Sequence, residues 1–268
     1  MNTNVYQIYY NEETKVKILP GFIPLDNMKN EKPDWFEFHV ILNFLRENKL
    51  EDNTWYGFLS PKFSDKTGYT ADFVNRVLKM YGDAANVALF SPGWDQLAYF
   101  LNPFEQGDFW HPGLMSASQN FINYLGLNIN LESLVTDNNN SVFCNYVIAK
   151  KEYWIAWKEI AEVFIKFVES DKNYQVNTSY GSTKNQYPLK TFIQERFPTI
   201  ILSQGKYQIL SPDRTLDGPI FTKLFSNDLN TRKLLLTCDL MKTKYRDTGE
   251  KAYLDMYSRV RKRIKFLI

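Results

Sequence analysis

Histidine and cysteine are scarce in this 268-residue chain, which holds two of each. Zinc sites draw on three or four such side chains at close spacing. His39, His111, Cys144 and Cys238 are scattered, so no zinc centre is expected. Two cysteines also cannot build a disulfide framework. Both lie among apolar neighbours and read as reduced core or near-core thiols of a cytosolic protein. Long apolar runs are missing as well: none approaches the ~20 residues of a membrane-spanning helix. The opening Met1-Asn2-Thr3-Asn4-Val5-Tyr6-Gln7 lacks the basic-then-apolar pattern of a signal peptide. These absences together predict a cytoplasmic location. No internal repeat, low-complexity tract or Pro/Ser linker divides the chain.

What the sequence has in abundance is aromatic side chains, 16% of the total, with 20 Phe, 17 Tyr and 6 Trp. They supply bulk for a core and flat faces for stacking on sugars or bases, which weakly favours a carbohydrate or nucleotide ligand. The 44% hydrophobic and 23% charged fractions are those of a soluble globular chain. The net charge of +2 hides an asymmetry. From Arg232 onward eleven Lys/Arg face four Asp/Glu, a net of +7, so the preceding 231 residues carry −5. The expected partition is an α/β domain over 1–231 and a basic helical appendage over 232–268.

Periodicity places the elements. Strands are expected at Val5–Tyr10, Trp55–Ser60, Asn86–Phe90, Ser141–Ala149 and Tyr207–Leu210. Helices are expected at 35–45, Thr70–Tyr81, Leu114–Leu125, Glu152–Val168 and Pro188–Leu202, the first with Asp34 as N-cap and Glu37 completing a capping box. The stretch Leu19–Asn27, with Pro20, Gly21 and Pro24, reads as irregular. Near-continuous apolar strands alternating with helices predict an α/β sheet covered on both faces. Ligands of such sheets bind beyond the carboxyl ends of the strands.

Three strand exits carry polar residues. After the second strand, Ser60-Pro61-Lys62-Phe63-Ser64-Asp65-Lys66-Thr67-Gly68 offers two cations and several hydroxyls to a diphosphate, or forms an ordinary solvated loop. It lacks the glycine spacing of a Walker loop. The next exit runs from Ser91-Pro92-Gly93-Trp94-Asp95 to His111-Pro112-Gly113. There Asp95, Glu105, Asp108 and His111 lie among Trp94, Phe104, Phe109 and Trp110. Carboxylates beside aromatic platforms suit a sugar, and one carboxylate could serve as general base on an attacking hydroxyl. The same residues also suit core, cap and turn roles. At the third exit Asn145 needs partners if buried, from a ligand hydroxyl or from a neighbouring strand. Cys144 has no basic neighbour in sequence to activate it. In the last helix, Gln194-Glu195-Arg196 reads as a polar group turned to a cavity or as an exposed charge pair.

Taken in order, several of these segments resemble bacterial glycosyltransferase-like proteins of capsule and O-antigen loci. The resemblance rests on Asp26-Asn27, Asn30, Pro33-Asp34-Trp35 and Glu37, on Trp55–Phe63 with Lys66-Thr67-Gly68, and on Asn102–Gly107 with His111-Pro112-Gly113. Phe143-Cys144-Asn145-Tyr146 and Gln194-Glu195-Arg196 complete it, over roughly residues 5 to 210. It implies a GT-A-like fold, a Rossmann-type sheet flanked by helices, acting on a nucleotide-activated sugar and a glycan or lipid-linked glycan acceptor. Donor binding would fall to Asn27, Lys62, Lys66, Thr67, Asn145, Glu195 and Arg196. Catalysis would fall to Asp95, with Glu105 or Asp108 as substitutes and His111 nearby. The chain departs from the pattern at the Asp-x-Asp metal motif, where only Asp95 stands, so reliance on Mg2+ or Mn2+ is open. Without a metal, Lys62, Lys66 or Arg196 would neutralise the departing diphosphate.

Two other readings compete with this transferase. One is a non-catalytic glycan-binding or scaffolding domain of the same pathway. The other, a transferase acting on nucleic acid, is disfavoured by the negative main body, so no nucleic acid partner is expected. The tail adds a further expectation. Leu254, Tyr257, Val260, Ile264 and Leu267 recur at helical spacing, with Arg259, Arg261, Lys262, Arg263 and Lys265 around them. Such a helix would lie apolar side down on an anionic membrane, on the inner face of the cytoplasmic membrane.

Overall fold

The computed structural model describes residues 2–170, 177–179, 186–215, 218–221 and 223–267, and Ile268 of the expected basic helix lies outside them. The first half runs β1 (Asn2–Tyr9), α1 (Glu12–Lys15), β2 (Ile23–Asp26), α2 (Glu37–Glu47), β3 (Thr54–Leu59), α3 (Phe63–Thr67), α4 (Ala71–Tyr81) and β4 (Val87–Leu89). Then follow α5 (Trp94–Tyr99), α6 (Pro103–Trp110), α7 (Leu114–Tyr124), β5 (Val147–Ala149) and α8 (Lys151–Ser170). The remainder is β6 (Asn177–Ser179), β7 (Gln186–Pro188), α9 (Leu189–Gln194), α10 (Phe197–Leu202), β8 (Ile209–Leu210), α11 (Leu229–Thr248) and α12 (Lys251–Arg261).

Six strands form one mixed sheet in the order β2-β1-β3-β5-β4-β8, flanked by helices. The β1 pairings with β2 and β3 are parallel, as is β4 with β8, whereas β5 runs antiparallel to both its neighbours. The fold is therefore α/β, as expected from the alternation of elements, with one reversed strand at its centre. Gly57 lets β1, β3 and β5 meet, because a Cβ there would stand 2.8 Å from Ile148 Cγ1. A larger residue would push the central strands apart.

Four local expectations are corrected. The proline-containing stretch expected to be irregular contributes β2, an edge strand. Pro24 is tolerated there because an edge strand needs only one of its two hydrogen-bonding sides. Asp34 does not cap α2. A single 3₁₀ turn, Pro33–Trp35, intervenes, α2 starts after Phe36, and Asp34 instead accepts a hydrogen bond from the buried Lys190 ammonium. Of the strand expected over 141–149, only Val147–Ala149 pairs. Upstream, the Thr199 hydroxyl takes both backbone groups of Val142, accepting from its N–H at 3.2 Å and donating to its carbonyl at 2.8 Å. With those groups satisfied, no ladder is required. Finally, the helix expected over Pro188–Leu202 breaks at Glu195-Arg196 into α9 and α10. Pro198 has no N–H to continue the ladder and sits in the first turn of α10 instead.

The main core lies between the sheet and its helices and is built largely of aromatic rings. Phe164, fully buried on α8, packs at ring-centroid distances of 4.8 Å from Phe121, 5.0 Å from Phe197 and 6.0 Å from Trp35. Much of the aromatic abundance is thus spent on packing. Phe164→Ala is expected to cost about 3–5 kcal/mol in urea unfolding at unchanged m; a loss below about 1 kcal/mol would contradict the central place of this ring. A second core joins Trp94, Tyr99 and Phe100 to Leu235 and Cys238 of α11 and Tyr257 of α12. Within it the buried Lys242 ammonium donates to the carbonyls of Leu97 and Phe100, the latter at 2.6 Å, capping the end of α5. No helix among the described residues is long and apolar enough to cross a membrane.

Candidate functional site

A cavity of about 420 Å3 opens at the carboxyl edge of the parallel strands. Tyr10 follows β1, Asn27 and Asn30 follow β2, and Ser60, Lys62 and Lys66 follow β3. Because β5 is reversed, its amino end brings Cys144, Asn145 and Tyr146 to the same edge. The amino end of α2 adds Phe36 and Glu37, and the α9 region closes the wall with Thr191, Phe192 and Glu195. No side chain caps α2, so its first N–H groups add partial positive charge at the cavity beside the two lysines.

Two buried polar atoms in this wall, Asn145 Oδ1 and Thr191 Oγ1, have no hydrogen-bond partner. Buried polar atoms are mostly paired, and the four further unpartnered ones, on Trp55, Ser118, Tyr153 and Gln194, lie outside this wall. Asn145 Oδ1 can only accept, so any partner it took would be a hydroxyl or an N–H. Backbone strain gathers here too. Asn30 and Phe36, both in the wall, hold φ at +40° and +48° without being glycine. Such conformations persist where the surroundings enforce them, often at binding sites.

Burial raises the Glu195 carboxyl above the ordinary carboxylate range, against the opposing pull of Lys66 and Arg196. That brings it toward the range useful for a general base. Burial pushes the Cys144 thiol up to about 12, so it stays protonated and inert as a nucleophile. The Tyr146 hydroxyl, also raised by burial, shares a 2.8 Å hydrogen bond with Ser60 Oγ. Tyr187 stands 5.4 Å from Phe36, ring to ring, and the two give the cavity an apolar flank.

Of the residues expected to bind donor or to catalyse, Asn27, Lys62, Lys66, Asn145 and Glu195 converge on this cavity. The others with those expected roles do not line it. Thr67 is buried and structural, its hydroxyl donating to Phe63 O at 2.7 Å and accepting from Tyr69 N–H at 3.1 Å. Arg196 points away, into the contact between α6 and α9. It donates to Phe192 O at 2.5 Å, Pro103 O at 2.7 Å and Gln106 Oε1 at 2.8 Å. Burial lowers its guanidinium to about 10, still charged at neutral pH.

The four expected catalytic residues also serve the fold. Asp95 is buried on α5 and accepts from Phe221 N–H at 3.1 Å. Glu105 accepts from Leu101 N–H at 2.5 Å and pairs with Arg261 at 2.7 Å. Asp108 accepts from the N–H groups of Gly113 and Met115, at 3.0 and 2.9 Å, and so holds the turn into α7. His111 is buried and stacked 3.6 Å from Phe192, one ring removed from the cavity. Their aromatic companions are largely structural as well: Trp94 is buried and donates to Pro219 O at 3.0 Å, and Trp110 donates to Gln96 Oε1 at 3.1 Å.

Asp95 does not fit as the ligand of a divalent cation, since its carboxylate is enclosed and occupied by a backbone donor. Among the described residues no three His, Cys, Asp or Glu side chains converge as a metal site. Sequence reasoning gave no site role to Glu37, Thr191, Tyr10 or Tyr187, which stand in the cavity wall. Glu37 was legible as a helix-start residue; recognising β2 would have placed that helix start at a strand exit. No protein-family profile, curated protein or solved structure matches this chain, so what is shown is an α/β fold with a six-stranded mixed sheet flanked by helices and no family.

Proposed function

We propose that the cavity binds a nucleotide-activated sugar and transfers its glycosyl group to a hydroxyl of a glycan acceptor in surface-polysaccharide synthesis. The observation that carries this reading is the convergence of Lys62, Lys66, Glu195 and the unpartnered Asn145 and Thr191 oxygens on one cavity of ligand size. Anionic diphosphate meets the lysine ammoniums and the amino end of α2. Sugar hydroxyls satisfy Asn145 Oδ1 and Thr191 Oγ1. In the reaction, the acceptor oxygen bonds to the anomeric carbon as the bond from that carbon to the diphosphate oxygen breaks. The diphosphate leaves with the electron pair, and Glu195 takes the acceptor proton. Lys62 and Lys66 stabilise the charge that develops on the leaving group.

Thermal-shift screening of nucleoside diphosphates and their sugars tests the reading, because a ligand at 100 times its Kd stabilises the fold by about 2.7 kcal/mol. At least one is expected to raise Tm. Calorimetry on the Lys62→Ala, Lys66→Ala double variant should then show about a tenfold weaker affinity. Absence of any stabilising nucleotide, or wild-type affinity in the variant, would overturn the donor site. Binding without hydrolysis or transfer would favour the non-catalytic glycan-binding alternative.

A further inference from the structure

Three of the five apolar positions of the C-terminal stripe, expected to enter a bilayer, pack inside the protein. Tyr257 and Ile264 are buried in the second core, Val260 packs on it, and the Tyr257 hydroxyl donates to Tyr99 O at 2.7 Å. Arg261 shares that inner stripe and is turned inward, its guanidinium 2.7 Å from Glu105 and 4.5 Å from the centre of the Tyr99 ring. The cations left on the outside are Arg259, Lys262, Arg263 and Lys265, all exposed. The first three gather at the carboxyl end of α12, Arg259 in its last turn, Lys262 as its C-cap and Arg263 in the turn that follows. Asp255, one turn before Arg259, is the carboxylate of α12. None of the four cations pairs with a carboxylate among the described residues.

We infer that this outer face docks the protein on an anionic phospholipid surface by charge, without inserting the helix. The electrostatics give the contact a direction. Residues 232–268 carry +7 against −5 for the rest of the chain, so an anionic surface attracts the helix pair and repels the body. Met256 and Leu267, at either end of the cationic row in sequence, are 50% and 62% exposed. Large apolar side chains beside cations suit the interfacial zone of a bilayer and have no use on a phosphate backbone, which favours lipid over nucleic acid. This inference is independent of the proposed donor site.

Co-sedimentation of the full chain with vesicles tests it. Binding is expected to phosphatidylcholine vesicles containing phosphatidylglycerol, not to phosphatidylcholine alone, and to fall away at high salt. The triple variant Arg259→Glu, Lys262→Glu, Arg263→Glu changes exposed residues only and should keep the wild-type circular dichroism and Tm. It is expected to bind anionic vesicles about a hundredfold more weakly. Equal partitioning of variant and wild type, equal binding to neutral vesicles, or no binding at low salt would each overturn the inference. So would tighter binding to duplex DNA than to anionic vesicles at the same salt.

Discussion

Glu195→Gln is expected to lower glycosyl transfer by about 10²–10⁴-fold, the usual loss on removing a general base, while donor affinity changes little. The amide keeps the shape of the side chain and removes its ability to take the acceptor proton. Asp95→Asn makes the contrast: the Asn retains an oxygen for the Phe221 N–H, so turnover should stay within a few-fold of wild type. The acid limb of the rate–pH profile should lie above the ordinary glutamate range, since burial raises Glu195. The stability sign follows from the same shift. The folded chain holds the Glu195 proton to higher pH than the unfolded chain does. The group's stabilising contribution is therefore present below its unfolded pKa and is lost as pH rises to the folded value. Glu195→Gln should remove that segment of the stability profile. A Glu195→Gln enzyme turning over within a few-fold of wild type would sink the assignment.

Arg196→Ala is expected to lose on the order of 3–5 kcal/mol, since it strips a buried charge-assisted clamp from three acceptors at once. Those acceptors tie α6 to the end of α9, the stretch that carries Glu195 to the cavity. Gly107→Ala attacks the same clamp from the other side. A Cβ there would stand 2.6 Å from Arg196 Nη2 and 2.7 Å from its Cζ, so the guanidinium must move. Elsewhere in a helix this substitution would gain up to ~1 kcal/mol of propensity, so a net loss in urea unfolding points to the clamp. In the proposed reaction Arg196 would also act as a positioning residue for Glu195. Its charge lowers Glu195, so Arg196→Ala should move the acid limb further up in pH, and Arg196→Lys should partly restore it. Unchanged stability in both Arg196→Ala and Gly107→Ala would refute the clamp.

Several elements were legible because their signals are local. The helix expected over Thr70–Tyr81 is α4, with Thr70 as its cap, accepting from Phe73 N–H at 3.2 Å. The apolar face of α8, with Trp154, Trp157, Ala161 and Phe164, reads directly from its period. The lysines of the Ser60–Gly68 segment were singled out by the rule that ligands bind beyond the carboxyl ends of strands, whereas Asn145, expected at such an exit, reaches the same edge from the amino end of the reversed β5. The short helices α5 and α6 were missed. They occupy a segment whose carboxylates and rings also have the composition of a sugar site, and six to eight residues give period too little length to decide.

Residue order by itself determined the α/β class, the buried strands and the separation of charge between body and tail, because each depends on periodicity or on counts. Which carboxylate faces a cavity was decided only by the tertiary structure. Asp95 and Glu195 are both acidic residues in apolar company, and no local pattern separates them. The difference arises where distant segments meet. Phe221 supplies a donor to Asp95 from 126 positions away, whereas the helix break at Glu195-Arg196 and the Arg196 clamp leave Glu195 at the end of α9, in the wall of the cavity that β1, β3 and the reversed β5 help to line. The same holds for the tail, whose apolar stripe was plain in the sequence. A stripe specifies that a face is buried and not what buries it, and here Tyr99, Phe100 and α11 reached it.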